Sequence, residues 1–392
     1  MRRWLVPLLA LPTAALLALA VTVLVVRAEP RRDAPAAPPT TTPPAVPGSH
    51  SPPVSADGPI EALVRELQTF VERQRGLAFK TPVKVTLLDD TAFRNRLLRD
   101  AAEDREDIEK TQLVLRAMGL LDPQVDLVKA VERVIGTAVV GMYDPETKEL
   151  AVRGSQPTPN VRATLVHELT HALEDQHFNL HREDLGDEAD LGFSALAEGT
   201  AVRMEEAYVG SLSEADRRRL RAEEAAQFRL VPRDVPPVVE QALVFPYAYG
   251  PDLVEAVVEA GGKGRLDRAF ADPPSSTEHV LHPERYMGGD APRPVPVPKA
   301  DRPAFDDGEI GELFLILMLR SDLGTDAARR AAKGWGGDRY VAWRDGDRTC
   351  VRMDFVMDDA EETEELMKAL RDWAGERKGS ASASGPSLTT CG

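Results

Sequence analysis

Residues 164–173 of the chain read TLVHELTHAL, and this stretch decides the fold and the chemistry that we expect. His167 and His171 are four residues apart, so on an α-helix their imidazoles lie on one face, one turn apart. Two imidazoles arranged in this way can bind a single metal ion. Glu168 borders the same face, where its carboxylate can accept a proton from an attacking water molecule. The H-E-x-x-H spacing therefore predicts a metal-dependent hydrolytic centre on one helix.

The residues around this stretch predict that the helix is buried. From Val161 to Leu173 only Arg162 and Glu168 are charged, and the positions beside the histidines are small or apolar. The histidines are also clustered, because four of the seven in the chain lie close together: His167, His171, His177 and His181. The alternative interpretation is an amphipathic helix with two hydrogen-bonded histidines. We favour the metal site because the spacing, the apolar flanks and the clustering agree.

A catalytic zinc ion takes three protein ligands, so the sequence must supply a third. Glu198 is the only charged residue from Leu191 to Val202, in a chain that is 29% charged, and its neighbours are small. Small neighbours let two helices approach closely enough for a carboxylate to reach an ion between them, and a lone buried acid needs a partner. We predict Glu198 as the third ligand; the alternative is a carboxylate paired with an arginine. His177 is a weaker candidate, because a step of six residues from His171 rotates it about 120° off the ligand face.

Residues 164–173 resemble the active-site helix of the zincin metallopeptidases. Residues 138–152 favour a β-hairpin and occupy the position of the edge strand that precedes this helix in that family. The resemblance implies a Zn2+ cofactor, hydrolysis of peptide bonds and Glu168 as the general base. It is strong only over about residues 161–201.

The position of Glu198, on a second helix downstream, is typical of the gluzincin branch of this family. Thermolysin-like members carry a supporting aspartate four residues after the third ligand, and here that position is Val202. The acid that orients a ligand histidine must therefore come from elsewhere. We consider Asp175 and Asp190 for this role.

A second polar stretch, residues 275–286, reads SSTEHVLHPERY. Peptide hydrolysis needs a donor for the oxyanion that forms on the substrate carbonyl. We expect His282 and Tyr286 to be catalytic in this sense, with His279 and Tyr249 as alternatives. The competing interpretation is a polar loop with local hydrogen bonds. The stretch is also similar to part of an uncharacterised group of bacterial, membrane-anchored zincin-like proteins.

The N-terminus predicts a membrane or export segment. No residue from Trp4 to Val26 is charged, and a run of that length can cross a bilayer as a helix. Over residues 1–28 we expect either an uncleaved signal anchor or a signal peptide cut after Ala28, and the length favours the anchor. Residues 29–59 are rich in Pro, Ala and Thr and are expected to be a spacer. These features predict a membrane-anchored, extracytoplasmic protein, or a secreted one if the segment is cleaved.

The expected fold class is α+β, with a zincin-like catalytic domain that is mostly helical and has a small sheet, after an N-terminal transmembrane or signal helix. This domain is expected over residues 60–300. A C-terminal α/β subdomain of the same globule is expected over 301–377, and a flexible tail over 378–392. The two cysteines, Cys350 and Cys391, form no C-x-x-C pair, so a structural thiolate zinc site is excluded. A disulfide between them is open at this point, because spacing alone does not establish it.

The charge of the chain bears on its partners. A formal net charge of −16 argues against nucleic acid, since phosphate binding needs clustered Lys and Arg. The expected partners are a peptide or protein substrate and, through the N-terminal helix, a membrane. Two alternatives to a peptidase stay open: a non-catalytic zinc-binding surface module and a zinc hydrolase of a non-peptide amide. Glu168 favours an enzyme, because a structural zinc site would not need a carboxylate beside its ligands.

Overall fold

The computed structural model describes residues 59–103, 105–154, 156–182, 185–377 and 379–392. These residues form helices and strands with the following bounds: α1 (Pro59–Arg75), β1 (Lys84–Leu88), α2 (Asp90–Glu103), α3 (Arg105–Ala117), α4 (Leu127–Ala138), β2 (Gly141–Asp144), β3 (Glu149–Arg153), α5 (Pro159–Phe178), α6 (Asp187–Ser211), α7 (Glu214–Phe228), α8 (Pro237–Ala271), α9 (Thr277–Leu281), α10 (Pro283–Gly288), β4 (Ala304–Gly308), α11 (Gly311–Leu323), α12 (Thr325–Ala332), β5 (Trp335–Asp345), β6 (Arg348–Met357), α13 (Ala360–Glu376), β7 (Ala381–Ser384) and β8 (Ser387–Cys391). Helix α8 is kinked at Gly261 and Gly262, where the backbone leaves the helical conformation.

A three-stranded sheet precedes the helix that carries the histidines. Its strand order is β1-β3-β2, with β1 parallel to β3 and β2 antiparallel to it, which confirms the predicted hairpin. The hairpin turns at Asp144, whose Oδ1 accepts hydrogen bonds from the N–H groups of Glu146 and Thr147. Lys148 completes the turn with a φ of 58°. Since β2 is the outermost strand on its side, its outer edge is unpaired within this sheet.

The central element of this part of the fold is α5. Thr158 caps its start by accepting a hydrogen bond from the N–H of Val161, and Pro159 occupies the first turn, where its missing N–H costs nothing. Every residue from Ala163 to Asp175 is buried. Strand β3 covers one side of α5, with Leu150 among the packed residues, and α6 packs alongside α5.

Helices α6 and α8 touch at two glycines. A Cβ atom on Gly199 would lie 2.2 Å from the carbonyl carbon of Gly250, and one on Gly250 would lie 2.2 Å from the backbone oxygen of Ala195. No side chain fits at either position, so the two backbones are in direct contact. This close approach places Glu198 beside residues of α8.

The C-terminal part contains a five-stranded antiparallel sheet with the order β4-β5-β6-β8-β7. The expectation of a flexible tail over 378–392 is wrong, because β7 and β8 form one edge of this sheet. Leu388 and Thr390 are buried alternately with more exposed neighbours, as a half-buried strand requires. In the register of β6 and β8, Cys391 faces Cys350, and the two form a disulfide.

The expected fold class also needs a correction. The described residues form a mixed helix-and-sheet fold with two sheets, rather than one small sheet behind a membrane helix. None of the helices in the described part of the chain combines the length and the apolar character that a bilayer crossing requires. The apolar run that suggested such a helix, with the predicted segment 1–28 and nearly all of the predicted spacer, lies outside the described residues.

Candidate metal centre

The two histidines of the H-E-x-x-H stretch lie on one face of α5, as their spacing predicts. Their ring centroids are 4.9 Å apart, and the ring planes are inclined by 72°. His167 and Glu168 are 0% exposed and His171 is 6% exposed, so the centre sits inside the protein. The apolar flanks in the sequence already indicated this burial.

Glu198 reaches both histidines from α6. Its Oε2 atom lies 3.1 Å from Nε2 of His167 and 3.3 Å from Nε2 of His171. One atom from each of the three side chains falls within 4.8 Å of the others. The structure therefore brings together the three residues that the sequence predicts as metal ligands.

The spacing of these atoms fits a zinc ion. Two donors that each lie about 2.0–2.1 Å from a tetrahedral zinc ion are about 3.3 Å apart, close to the two separations from Glu198. The Nε2 atom of His171 is buried, and its neighbour at 3.3 Å is Oε2 of Glu198, so both atoms are turned toward the point where an ion would lie. Two imidazoles and one carboxylate are also a donor set typical of catalytic zinc.

The electrostatics of the three side chains are tightly linked. Burial opposes a charge on His167, but the hydrogen bonds that the imidazole donates to Glu198 and Glu205 outweigh it and raise its pKa to about 10. Burial likewise opposes the charge on Glu198, yet the charges of His171 and His167 lower its pKa to about 2. Glu198 is therefore an anion at neutral pH, which is the form that binds a cation.

The acid that supports His167 is Glu205. Its Oε2 atom lies 3.1 Å from Nδ1 of His167, and the residue is buried. A bound metal would displace the proton from Nε2, and a carboxylate at Nδ1 favours the tautomer in which Nε2 is unprotonated and turned to the metal. Sequence reasoning considered Asp175 for this role, but Asp175 bonds instead to Tyr143 and Lys148. The signal that it missed is the step of seven from Glu198 to Glu205, two helical turns along the same face.

Tyr247 of α8 is a second residue that sequence reasoning missed. Its ring stacks on His167, with centroids 6.4 Å apart and planes inclined by 22°. Burial and the charges of Glu198 and Glu168 raise the pKa of its hydroxyl far above the ordinary value. Tyr249, the tyrosine of α8 that was predicted as an alternative donor, has its ring centroid 5.2 Å from that of Phe245.

The structure gives the two expected oxyanion donors other partners. Nε2 of His282 lies 3.1 Å from Oε1 of Glu312, and the hydroxyl of Tyr286 donates to the backbone oxygen of Asp272. These contacts correspond to the competing interpretation, a polar segment with its own hydrogen bonds. His177, the weaker ligand candidate, hydrogen-bonds the backbone oxygen of Ala78 at the surface.

Strand β2 borders Glu168. A Cβ atom on Gly141 would lie 3.0 Å from Cγ and from Oε1 of Glu168, and 2.4 Å from Cγ2 of Thr164. The first residue of β2 is thus a glycine because α5 leaves no room for a side chain. This contact brings the free edge of the sheet next to the metal centre.

Comparisons with known proteins bear on the C-terminal part alone. Residues 301–390 match a family described as a domain of unknown function, DUF8575. The match covers the five-stranded sheet from β4 nearly to the end of β8, and it does not include α5 or α6. No curated protein matches the chain, and no solved structure matches it.

Proposed function

We propose that this chain is a zinc-dependent peptidase, with His167, His171 and Glu198 as metal ligands and Glu168 as the general base. One observation carries the proposal: Oε2 of Glu198 lies 3.1 Å and 3.3 Å from the two Nε2 atoms. Those separations fit a tetrahedral ion, and Glu168 lies on the same helix between the two histidines. The resemblance of this helix to the zincins supports the same conclusion.

The side chains have separate roles in this proposal. Bound zinc would supply Lewis acidity, which polarises a carbonyl and acidifies water. Glu168 accepts a proton from the attacking water as its oxygen bonds to the carbonyl carbon, and then gives that proton to the amine as the C–N bond breaks. Tyr247 stays protonated at neutral pH, because its pKa is raised, and so can donate a hydrogen bond to the carbonyl oxygen as charge develops there.

The free edge of β2 supports a peptide as the substrate. An extended peptide can add to an exposed sheet edge through backbone hydrogen bonds, with alternate side chains pointing to either face. Gly141, the buried first residue of this outer strand, lies against Glu168. A peptide paired with β2 would therefore pass beside the general base.

The disulfide supports an extracytoplasmic location. Disulfides persist in oxidising compartments and are rare in the cytosol, where thiols are kept reduced. Cys350 and Cys391 join two neighbouring strands of the C-terminal sheet. We therefore propose that the peptidase acts outside the cytoplasm.

The test is a digest of a peptide library by the zinc-loaded full chain and by Glu168→Gln. The variant should keep about one zinc ion per chain and lose hydrolysis, because glutamine cannot accept a proton. Tyr247→Phe should also keep the metal, and its kcat should fall about 100-fold through loss of one donor. The control is Glu188→Gln, at a buried carboxyl that accepts hydrogen bonds from Thr277. Burial raises the pKa of Glu188 so far that glutamine resembles its protonated form, and this variant should keep hydrolysis. Cleavage by Glu168→Gln at the wild-type rate would contradict the proposal.

A second candidate function is a non-catalytic metal-binding module, and the complete burial of Glu168 favours it. A general base must meet water and substrate, and a fully covered carboxylate meets neither until the protein opens. The same digest separates the two functions. A wild-type chain that binds one zinc ion and cleaves no peptide would support the module.

A further inference from the structure

Asp175 joins the β-hairpin to the metal-binding helix. Its Oδ2 atom accepts a hydrogen bond from the hydroxyl of Tyr143, at 2.7 Å, and another from Nζ of Lys148, also at 2.7 Å. Tyr143 belongs to β2, Lys148 ends the turn before β3, and Asp175 lies one helical turn beyond His171 on α5. We call these three residues the Asp175 clasp.

The carboxylate at the centre of the Asp175 clasp is buried and hydrogen-bonded through both oxygens. The side chain of Asp175 is 1% exposed, and its other oxygen accepts the N–H of Leu180, so the carboxylate is fixed in place. Burial and the charge of Asp175 raise the pKa of the Tyr143 hydroxyl, which therefore remains a donor at every physiological pH. Lys148 is 55% exposed, so water screens its charge and its bond is the weaker of the two.

The two ends of β2 contact α5 at functionally different places. Gly141 lies against Glu168, and Tyr143, two residues on, is bonded to Asp175. β2 is an outer strand, and its first half is held by pairing with β3 and by the burial of Gly141 and Met142. The clasp adds a polar restraint at Tyr143, in the less buried second half of the strand.

We propose that Asp175 is a positioning residue, which through Tyr143 and Lys148 fixes the free edge of β2 beside Glu168 as the docking edge for substrate. This rests on the proposed function, and it assigns to Asp175 a role in substrate binding rather than in proton transfer. Loosening the clasp leaves the metal ligands and Glu168 on an intact helix. It weakens the pairing of an extended peptide with β2.

Tyr143→Phe is the most specific variant, because it removes one hydroxyl and keeps the hydrogen bond from the N–H of Leu180 to Asp175. A substitution of Asp175 itself would remove both hydrogen bonds. The matched control is Tyr340→Phe, which removes a tyrosine–aspartate bond of the same length, 2.7 Å to Asp306, from the five-stranded sheet. A second control is Lys84→Met, which breaks an exposed ion pair on β1 of the same sheet as the hairpin.

Two measurements on the zinc-loaded full chain decide the proposal. In Tyr143→Phe, hydrogen exchange at residues 141–144 should be about 5-fold faster, the equivalent of one lost hydrogen bond. For a peptide substrate, KM should rise by a similar factor, with kcat within 2-fold of wild type. Neither control should show these changes.

Three outcomes would overturn the proposal: unchanged exchange in β2 together with an unchanged KM, a fall in kcat with KM unchanged, or exchange that rises equally in both sheets. The second would mean that Tyr143 acts on the chemical step, and the third that it serves general stability. If the wild-type chain cleaves nothing, the proposed function fails, and the exchange measurement still decides whether the clasp restrains β2.

Discussion

At the scale of single residues, the candidate metal centre is organised around His167, whose two ring nitrogens each contact a carboxylate. Glu198 approaches Nε2 and Glu205 approaches Nδ1, each at 3.1 Å. In the proposed centre the two carboxylates have different roles, since Glu198 would share the ion with the imidazole and Glu205 would orient the ring. His171 relies on its place on α5 and on Glu198.

Glu205→Gln should weaken zinc binding by about 10- to 100-fold, because an oriented partner at Nδ1 raises the basicity of a ligand histidine. The metal affinity can be measured by competition with a chromophoric chelator. Glu206→Gln is the control, since it changes the next residue of α6, which is exposed. Equal affinities for Glu205→Gln and wild type would show that the bond to Nδ1 does not tune the metal.

A pH-dependent loss of stability should arise at Glu278, away from the metal centre. Burial raises the pKa of this carboxyl to about 8, despite the opposing charge of Arg285. Between the ordinary pKa of a glutamate and about 8, the folded chain keeps a proton that the unfolded chain has released. The free energy of unfolding therefore falls as pH rises through this window, by up to about 1.4 kcal/mol for each pH unit from this group.

Glu278→Gln removes that titration, so the variant should gain stability over wild type as pH rises from about 5 to 8. Urea unfolding of both proteins across this range measures the difference. A difference that does not change with pH would contradict the assignment.

At the scale of elements, the contact of α6 with α8 decides where Glu198 lies. The small residues around Glu198 predicted a close helix approach, and the structure shows one at Gly199 and Gly250. The sequence did not show that α8 would be the partner, because that contact joins positions far apart in the chain. Tyr247 was missed for the same reason: nothing local distinguishes it from Tyr249.

Gly199→Ala should destabilise the protein by about 3 kcal/mol or more, because its Cβ would meet the backbone of α8 rather than a side chain that can move. It should also weaken zinc binding by moving Glu198. Gly210→Ala is the control on the same helix, where an added Cβ meets nothing within 4 Å, and alanine there should be neutral or stabilising by up to about 1 kcal/mol. If the two variants unfold at the same urea concentration, the contact does not constrain α6.

At the scale of the whole molecule, local patterns were more informative about α5 than about the C-terminus. The hairpin and the buried helix follow from periodicity and turn residues within one short stretch. Strands β7 and β8 are rich in Ser, Ala and Thr, and they become a sheet edge only because β6 pairs with β8. A sequence without an apolar run does not reveal such pairing, and the disulfide between Cys350 and Cys391 was left open for the same reason.

The disulfide should stabilise the fold as a whole. It closes a loop between positions 41 residues apart, which in the chain-entropy account corresponds to about 4 kcal/mol. Replacing both cysteines by alanine should lower the free energy of unfolding by about that amount, as measured in urea, and leave the zinc content unchanged. A variant as stable as the oxidised wild type would show that pairing of β6 with β8 suffices without the bond.

The proposed chemistry requires a single ion held by His167, His171 and Glu198. A calorimetric zinc titration of the metal-free full chain, run beside His171→Ala, tests it directly. We expect about one zinc ion per wild-type chain and an affinity at least 100-fold lower in the variant, which loses one of three ligands. Saturable binding that is unchanged in His171→Ala, or no saturable binding by the wild-type chain, would contradict the central claim.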